Sequence, residues 1–369
     1  MSRILHLVAS NHRRGAETFA VELADHLRRV GHQVRVMAVA DSGAAEPLPV
    51  EVAAARRFDP RGMARTVGAA RWADVVVSFG SSSLMVGAVS ARLTRRPFVY
   101  RQIGDPSVWG RVRASNLRIG APARAAARIV ALYPAAAETL VTLYGLDRDR
   151  IRVIPRGVPA ERFAPATDED RRTACEQLGL DPDRVWVAYV GSLSEEKDPL
   201  LAVEAMAHLR AEVGLLIAGD GPLRPDVEHR AAPYGDRIRL LGTVGDVRPV
   251  LRAASLLVLP SRTEGVPGAA VEAGLCGLPV VAFDVGGVGS VVIDHGTGRA
   301  IDDRDPSVFA AAILDAEANR TDYGRSARTH CLERFSMRSV GTAWERLIDE
   351  LTESDLDRSD DVPSRLDQP

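Results

Sequence analysis

Short β-branched runs alternate with stretches of helical period along the first half of the chain. Residues 4–8, 33–40, 74–79, 98–100 and 128–132 predict strands, and residues 17–29, 62–71, 82–93, 107–127 and 135–143 predict the helices between them. Strands that alternate with helices of this length form a parallel sheet with helices on both faces. A turn-rich passage then interrupts the alternation: Ile151-Arg-Val-Ile-Pro155-Arg-Gly-Val-Pro159, followed by Phe163-Ala-Pro165. Its prolines and glycine mark a crossing between domains. The same grammar restarts, with strands at 185–190, 214–218, 237–241, 256–259 and 280–283 and helices at 200–209, 223–230, 247–253, 269–276 and 306–318. Two more helical stretches, 321–334 and 337–351, close the pattern.

The expected fold class is α/β: two Rossmann-like, doubly wound parallel-sheet domains of about equal size, with ligand in the cleft facing the carboxyl ends of both sheets. The expected divisions are 1–160, 161–335, a helix at 336–351 that packs back on the first domain, and a tail at 352–369. From Glu350 onward the chain holds seven acidic residues and almost no apolar ones, so the tail is expected to be disordered.

Composition narrows the class. At 369 residues the chain can bury two cores, and its 46% hydrophobic and 26% charged residues are those of a soluble globular protein. A net charge of -2 argues against general nucleic-acid binding. Cys175, Cys276 and Cys331 are scattered without CxxC spacing, which points to a reducing compartment and away from a metal cage. The apolar start ends at once in Asn11-His12-Arg13-Arg14, as a first strand does and a signal peptide does not. The uncharged run at 75–91 is too short and too rich in serine to span a bilayer. A cytoplasmic location is expected. Residues 91–130 break the charge balance, with nine arginines against the one acid Asp105 and Val108, Trp109, Val112, Leu117 and Ile119 interleaved. That pattern fits a solvated face, or a peripheral contact with anionic lipid or a phosphorylated acceptor.

Two segments carry chemistry. Lys197 is the only lysine among 47 Lys+Arg residues. It follows strand 185–190 through Gly191-Ser192-Leu193-Ser194-Glu195-Glu196, and a cation between a strand end and a helix start is placed to meet a phosphate. The second segment, Pro260-Ser-Arg-Thr-Glu264-Gly265-Val266-Pro267-Gly268-Ala-Ala-Val-Glu272, follows strand 256–259 and opens a helix. Its glycines leave backbone N–H groups open near a helix N-terminus that carries roughly +0.5 elementary charge, and its carboxylates accept hydrogen bonds from sugar hydroxyls. Spacing alone favours the plainer arrangement, Glu264 in a cap and Glu272 in solvent, because two glutamates eight apart are common by chance. Gly219-Asp-Gly221 lacks the third glycine of a dinucleotide loop and reads as a tight turn after a buried strand.

In order and separation these segments resemble the EX7E retaining glycosyltransferases of GT-B architecture, family 4 (glycosyl transferases group 1). The resemblance runs from Gly15 to about Trp344. It includes Gly15-Ala-Glu17, Ile151-Arg-Val-Ile-Pro155-Arg-Gly157-Val158 with Phe163, Gly191-Ser-Leu193 leading to Lys197, Ile217-Ala-Gly219-Asp-Gly-Pro222, Leu241-Gly242 and Gly286-Gly287. It implies transfer of a sugar from a nucleoside diphosphate sugar, UDP- or GDP-linked, to an acceptor that the sequence does not name, in glycan, glycolipid or glycoside biosynthesis. No metal or other cofactor is implied. Lys197 is implied to contact the donor diphosphate and Glu272 to hold the ribose hydroxyls. Glu264, with the backbone of Gly265, Val266, Pro267 and Gly268, is implied to handle the sugar hydroxyls and distal phosphate. Gly191, Ser192 and Gly219 fall in the same donor-binding set, and Gly15 lets the first domain approach the phosphates or the acceptor.

The chain departs from the family pattern at four places. Ser192 stands where an arginine is usual, leaving Arg156 or Arg262 to replace that charge, and Arg156 itself stands where asparagine is usual. The usual histidine of the first domain is missing from Phe98-Val-Tyr-Arg-Gln-Ile-Gly-Asp105, so Arg101, Gln102 or Asp105 inherits its role. Arg101 and Gln102 therefore join Lys197 and Glu264 as candidate catalytic residues. Ser290 replaces a late glutamate. These departures keep open a nucleotide-sugar-binding protein with weak or no transfer, and a GT-B sugar-nucleotide epimerase. Neither half carries the full glycine fingerprint of a dehydrogenase.

Overall fold

The computed structural model describes residues 1–13, 15–44, 46–57, 59–109 and 116–360. The chain divides into two compact units, Met1–Gly157 with Met337–Pro369, and Val158–Ser336.

The first unit is built on strands β1 (Arg3–Ser10), β2 (Gln33–Ala40), β3 (Glu51–Val52), β4 (Val75–Phe79), β5 (Phe98–Arg101), β6 (Arg128–Ala131) and β7 (Ile151–Val153). They form one parallel sheet in the order β3-β2-β1-β4-β5-β6-β7. Helices α1 (Gly15–Arg29), α2 (Pro60–Trp72), α3 (Ser81–Thr94), α4 (Pro106–Trp109), α5 (Ala121–Ala123) and α6 (Pro134–Tyr144) connect them. Every residue of β4 is buried, as a sheet covered on both faces requires. The single helix expected at 107–127 is not formed. The described part is α4, a π-helical turn at Asn116–Gly120 and α5, with residues 110–115 outside the description. The described helical turns run on through Gly120 and Pro122, Gly120 being helical here and Pro122 standing at the start of α5, and they stop after Ala123, where the chain turns to enter β6 at Arg128.

The second unit repeats the plan with β8 (Val185–Val190), β9 (Val213–Ala218), β10 (Ile238–Gly242), β11 (Leu256–Leu259), β12 (Val280–Phe283) and β13 (Gly298–Ile301), in the parallel order β10-β9-β8-β11-β12-β13. Its helices are α7 (Asp168–Leu178), α8 (Pro199–Ala205), α9 (Arg224–Ala231), α10 (Arg248–Ala253), α11 (Gly268–Leu275), α12 (Pro306–Ala318) and α13 (Arg320–Phe335). Helix α7 was not expected, since only Ala174 and Cys175 of its residues are buried and it shows little apolar period; a capping box between Thr167 and Asp170 starts it. In each sheet the direction of growth reverses once, between β1 and β4 and between β8 and β11. Open α/β sheets bind ligands outside the carboxyl ends of the strands at such a reversal.

Helix α14 (Met337–Asp360) returns the chain to the first unit. Trp344 is fully buried and stacks on Phe79 with ring centroids 6.1 Å apart, while Leu347, Ile348 and Leu351 extend the same core. Each such side chain stabilises the packing by roughly 1.5–3 kcal/mol. His26 Nε2 lies 2.8 Å from Glu345 Oε1, and Glu350 takes ion pairs from Arg128 and Arg152. Residues 352–360, expected to be disordered, continue the helix, because no proline or glycine interrupts the sequence between Gly341 and Pro363. The rest of the expected tail, 361–369, lies outside the described residues. Among the described residues no helix is long and apolar enough to cross a membrane.

Candidate functional site

In the second unit the loops after β8 and β11 meet where the sheet reverses. Strand β8 ends at Val190 and the chain turns through Ser194, whose carbonyl accepts the N–H groups of Lys197 and Asp198 at 3.0 Å each. Asp198 closes the turn in the left-handed region (φ +46°), and Pro199 opens α8. Lys197 is thereby aimed at the loop after β11. Its Nζ lies 2.9 Å from Glu264 Oε1 and 3.3 Å from Glu196 Oε1. Glu264 is 9% exposed and also accepts a 2.7 Å hydrogen bond from Ser261 Oγ. A third loop joins them, since Gly287 N donates to the Glu264 carbonyl at 3.3 Å. The lysine and first glutamate singled out in the sequence, 67 residues apart, are therefore in direct contact.

A residue that sequence reasoning missed holds these loops together. Arg304, three residues past β13, donates from Nη2 to Asp198 Oδ2 at 2.9 Å and to the Pro260 carbonyl, and from Nη1 to the Ser261 carbonyl at 3.2 Å. Its guanidinium carbon sits 4.1 Å over the Phe283 ring. Arg262 pairs with the same Asp198 carboxylate at 2.7 Å, and its backbone N–H bonds to the Glu196 carbonyl. One buried carboxylate beside Lys197 thus ties the Lys197 loop to the Glu264 loop through two guanidinium groups. The surrounding negative charge adds to burial in pushing the Tyr189 hydroxyl upward, with Glu264 and Asp198 as its charged neighbours. That hydroxyl donates to the Ser192 carbonyl at 2.8 Å.

The remaining candidates of this unit fall around the pair. Gly191 ends the buried strand, and Gly219 (φ +150°) packs on it so closely that a Cβ would run into the Gly191 carbonyl. Ser192 is exposed, its hydroxyl 3.1 Å from that of Ser194. Val266 and Pro267 are buried and lead into α11, whose first residue is Gly268; Gly265 and Gly268 are half-buried. Glu272 lies on the second turn of α11, half-buried and near Cys276, whose thiol is pushed up to about 12 by burial first and by the Glu272 charge second. Ser290 sits in a short turn and donates to the Gly287 carbonyl at 2.6 Å. Chemically, this edge offers an ammonium for a phosphoryl oxygen, a buried carboxylate for hydroxyls, and backbone N–H groups at a helix start.

In the first unit, β1, β4 and β5 end around a cavity of about 330 Å³ lined by Ala16 and Glu17 of α1, Phe79, Gln102, Ile103 and Tyr144 among others. Gln102 is 3% exposed; its amide nitrogen donates to the carbonyls of Ile103 and Gly104, and its Oε1 has no protein partner. Arg101 points elsewhere, with its guanidinium carbon 4.1 Å over Phe19 and 5.8 Å from the Phe79 ring centre. Gly15 starts α1 beneath the Arg156 side chain; a Cβ there would come within 2.9 Å of Arg156 Nη1. Of the two arginines considered for the charge missing at Ser192, Arg262 belongs to the Lys197 cluster and Arg156 to the first unit. Among the described residues no group of three or more His, Cys, Asp or Glu side chains is placed to hold a metal.

Two family models match the chain, the Glycosyltransferase Family 4 model over residues 13–162 and the glycosyl transferases group 1 model over residues 184–319. A D-inositol 3-phosphate glycosyltransferase of Xylanimonas cellulosilytica is 38% identical over 56% of this chain and 51% of its own length. One of the same name from Streptomyces bingchenggensis is 28% identical over 92% of this chain and 85% of its own. The chain spans about half the length of several such curated relatives. The crystal structure of Anabaena HepE in complex with UDP and glucose superposes with a TM-score of 0.84 over 95% of this chain and 100% of HepE, at 22% identity. That likeness is one of fold. With both halves matched in order, and with two Rossmann-like units of seven and six parallel strands, the chain belongs to glycosyltransferase family 4 and has the GT-B fold.

Proposed function

We propose that this protein transfers a sugar from a nucleoside diphosphate sugar to an acceptor hydroxyl, with retention of configuration at the anomeric carbon. The observation that carries the reading is the Lys197–Glu264 pair at the reversal of the second sheet. Lys197 stabilises the charge that builds on the departing diphosphate, together with the N-terminal end of α11, and no metal enters the reading. Glu264 and the backbone from Gly265 to Gly268 hold the sugar hydroxyls, and Glu272 holds the ribose. The carbon passes through an oxocarbenium-like state while the acceptor attacks from the face that the diphosphate leaves, the phosphate oxygen taking its proton. Glu264 is a recognition group in this scheme, its Oε1 held by Lys197 and Ser261.

HepE was crystallised with UDP and glucose, which favours uridine as the base. The relatives named for D-inositol 3-phosphate favour a phosphorylated polyol as acceptor. Peripheral contact of residues 91–130 with anionic lipid belongs to the same reading, supported by the exposure of Val108 and Leu117 among the arginines. A second reading, binding without transfer, is favoured by the neutral, exposed Ser192 in place of a cation.

Calorimetry with UDP, GDP and ADP in the absence of metal, on the wild type, Lys197→Ala and Glu272→Ala, tests donor binding. Mass spectrometry of products from UDP-glucose with inositol 3-phosphate then separates transfer from epimerisation, which needs no acceptor. Binding of one nucleotide that falls at least tenfold in both variants supports the donor site. Full transfer activity in Lys197→Ala or Glu264→Gln refutes the assignment.

A further inference from the structure

Gln102 lines the cavity of the first unit with half of its amide unused. Its backbone N–H bonds to the Val130 carbonyl at 2.9 Å, and its Nε2 gives both hydrogens to carbonyls, that of Ile103 at 3.0 Å and that of Gly104 at 2.6 Å. An amide turned the other way would set Oε1 against those two oxygens, so the network fixes which atom is which. Oε1 is left as an acceptor without a partner among the described residues, on a residue 3% exposed. Buried acceptors are rarely left so, because the unmade bond costs the desolvation of the group. The loop that carries Gln102 is held in place. Gly104 turns the chain in the left-handed region (φ +71°), and Asp105 accepts the Ser107 N–H at 2.9 Å and its hydroxyl at 2.8 Å. Ile103 packs so closely on Gly80 that a Cβ there would strike it.

The other walls set the chemistry of what fits. Phe79, Ile103, Ile119 and Leu140 make much of the lining apolar, and no arginine, lysine or histidine among the described residues belongs to it. Arg101 and Arg156 lie outside the lining. Its one carboxyl group is that of Glu17, 7% exposed and with an interaction of its own. An anion placed here would lose its water and meet a carboxyl group, with no cation in the walls to offset either. At about 330 Å³ the space lies at the small end of organic-ligand pockets, about 300–1,000 Å³.

We infer that this cavity takes an uncharged group with a largely apolar body and a hydrogen-bond donor that Gln102 Oε1 receives. On the transfer reading this group is part of the acceptor, and a phosphate carried by the acceptor lies outside the cavity. The acceptor assignment rests on that reading; the site itself rests on Gln102 and the walls.

Calorimetry on the full chain compares 2-naphthol, 2-methoxynaphthalene, 2-naphthyl phosphate and myo-inositol, with UDP titrated in parallel. The methoxy compound keeps the body of 2-naphthol and lacks its O–H, the phosphate adds charge, and inositol has hydroxyls without the apolar body. The expected result is 2-naphthol bound at least tenfold tighter than any of the other three. Gln102→Met is expected to bring 2-naphthol down to the level of 2-methoxynaphthalene, and Ser82→Phe, which adds bulk at a lining position of α3, to weaken both at least tenfold. Equal affinities of the wild type for 2-naphthol and 2-methoxynaphthalene mean that water serves Oε1, and they overturn the inference whether or not the variants fold. So does binding of the phosphate as tight as that of the naphthol, or no binding of either neutral naphthalene. Mass spectrometry after incubation with UDP-glucose and 2-naphthol reads the acceptor assignment: a naphthyl glucoside supports it, and none from a protein that binds both ligands overturns it. UDP bound without 2-naphthol removes this inference and leaves the transfer reading standing. Binding of 2-naphthol by a protein indifferent to UDP does the reverse.

Discussion

Replacing Arg304 by methionine is expected to loosen the Lys197 and Glu264 loops together. The substitution removes the ion pair to Asp198 and the bonds to the Pro260 and Ser261 carbonyls, and keeps a flexible apolar chain against Phe283. Hydrogen bonds with a charged partner contribute about 1.5–3 kcal/mol each, and the two carbonyls belong to buried residues. Asp198 retains Arg262 at 2.7 Å, so its carboxylate does not become an unpaired buried charge. The expected loss is therefore about 3 kcal/mol, nearer to one or two of these bonds than to the sum of three. Hydrogen exchange of the β8 and β11 amides reports the second unit by itself, and such a loss accelerates its slowest amides about 100-fold. UDP affinity, measured in parallel, is expected to fall at least tenfold because the Lys197 turn is then held at Asp198 by the exposed Arg262 alone. Exchange within threefold of wild type, with unchanged UDP affinity, would show that Arg262 alone suffices and that Arg304 positions nothing.

Two further outcomes follow from backbone and burial. Gly219→Ala places a Cβ against the Gly191 carbonyl at φ +150°, and thermal unfolding is expected to show the second unit destabilised by roughly 3 kcal/mol or more; a melting temperature within a degree of wild type would contradict the close packing of β8 on the β9 turn. His6 is fully buried against Phe79, with Nδ1 3.0 Å from the Ala20 carbonyl, and loss of solvent lowers it from 6.5 to about 4. The ring stays neutral in the fold, so its contribution is intact above pH 6.5 and is lost as the pH falls toward 4, by up to about 3 kcal/mol. Urea titrations of the wild type and His6→Phe from pH 7 to pH 4 are expected to converge or cross in acid; parallel curves would refute the linkage.

Much of the fold was legible because both sheets are covered on two faces. Strands such as Val75–Phe79 and Leu256–Leu259 are buried throughout and read as apolar runs, broken in the first only by Ser78. The elements that escaped have little burial to betray them. Strand β3 has two residues and β7 three, and α7 is polar on most of its surface. The Lys197–Glu264 contact was within reach because each residue stands in a run with its own chemistry, one a lone lysine and the other a carboxylate followed by Gly265 and Gly268 at a helix start. Arg304 was not, since it is one arginine among dozens and its partners lie 43 or more residues away. The expected helix at 107–127 stops early, after Ala123, because the chain has to turn into β6 at Arg128.

The return of α14 reorders the assembly of this protein in time. A ribosome delivers β1 to β7 first, yet Trp344, Ile348 and Leu351, which close the core over Phe79, are delivered last. The second unit, continuous from Val158 to Ser336, has all of its strands and helices before that happens. Domains fold as units as they emerge, so the half that is made first is the half completed last, and the wall of its cavity formed by Phe79 waits for a helix encoded more than 250 residues downstream. A message cut short before Met337 would yield a complete second unit joined to a first unit without its closing helix.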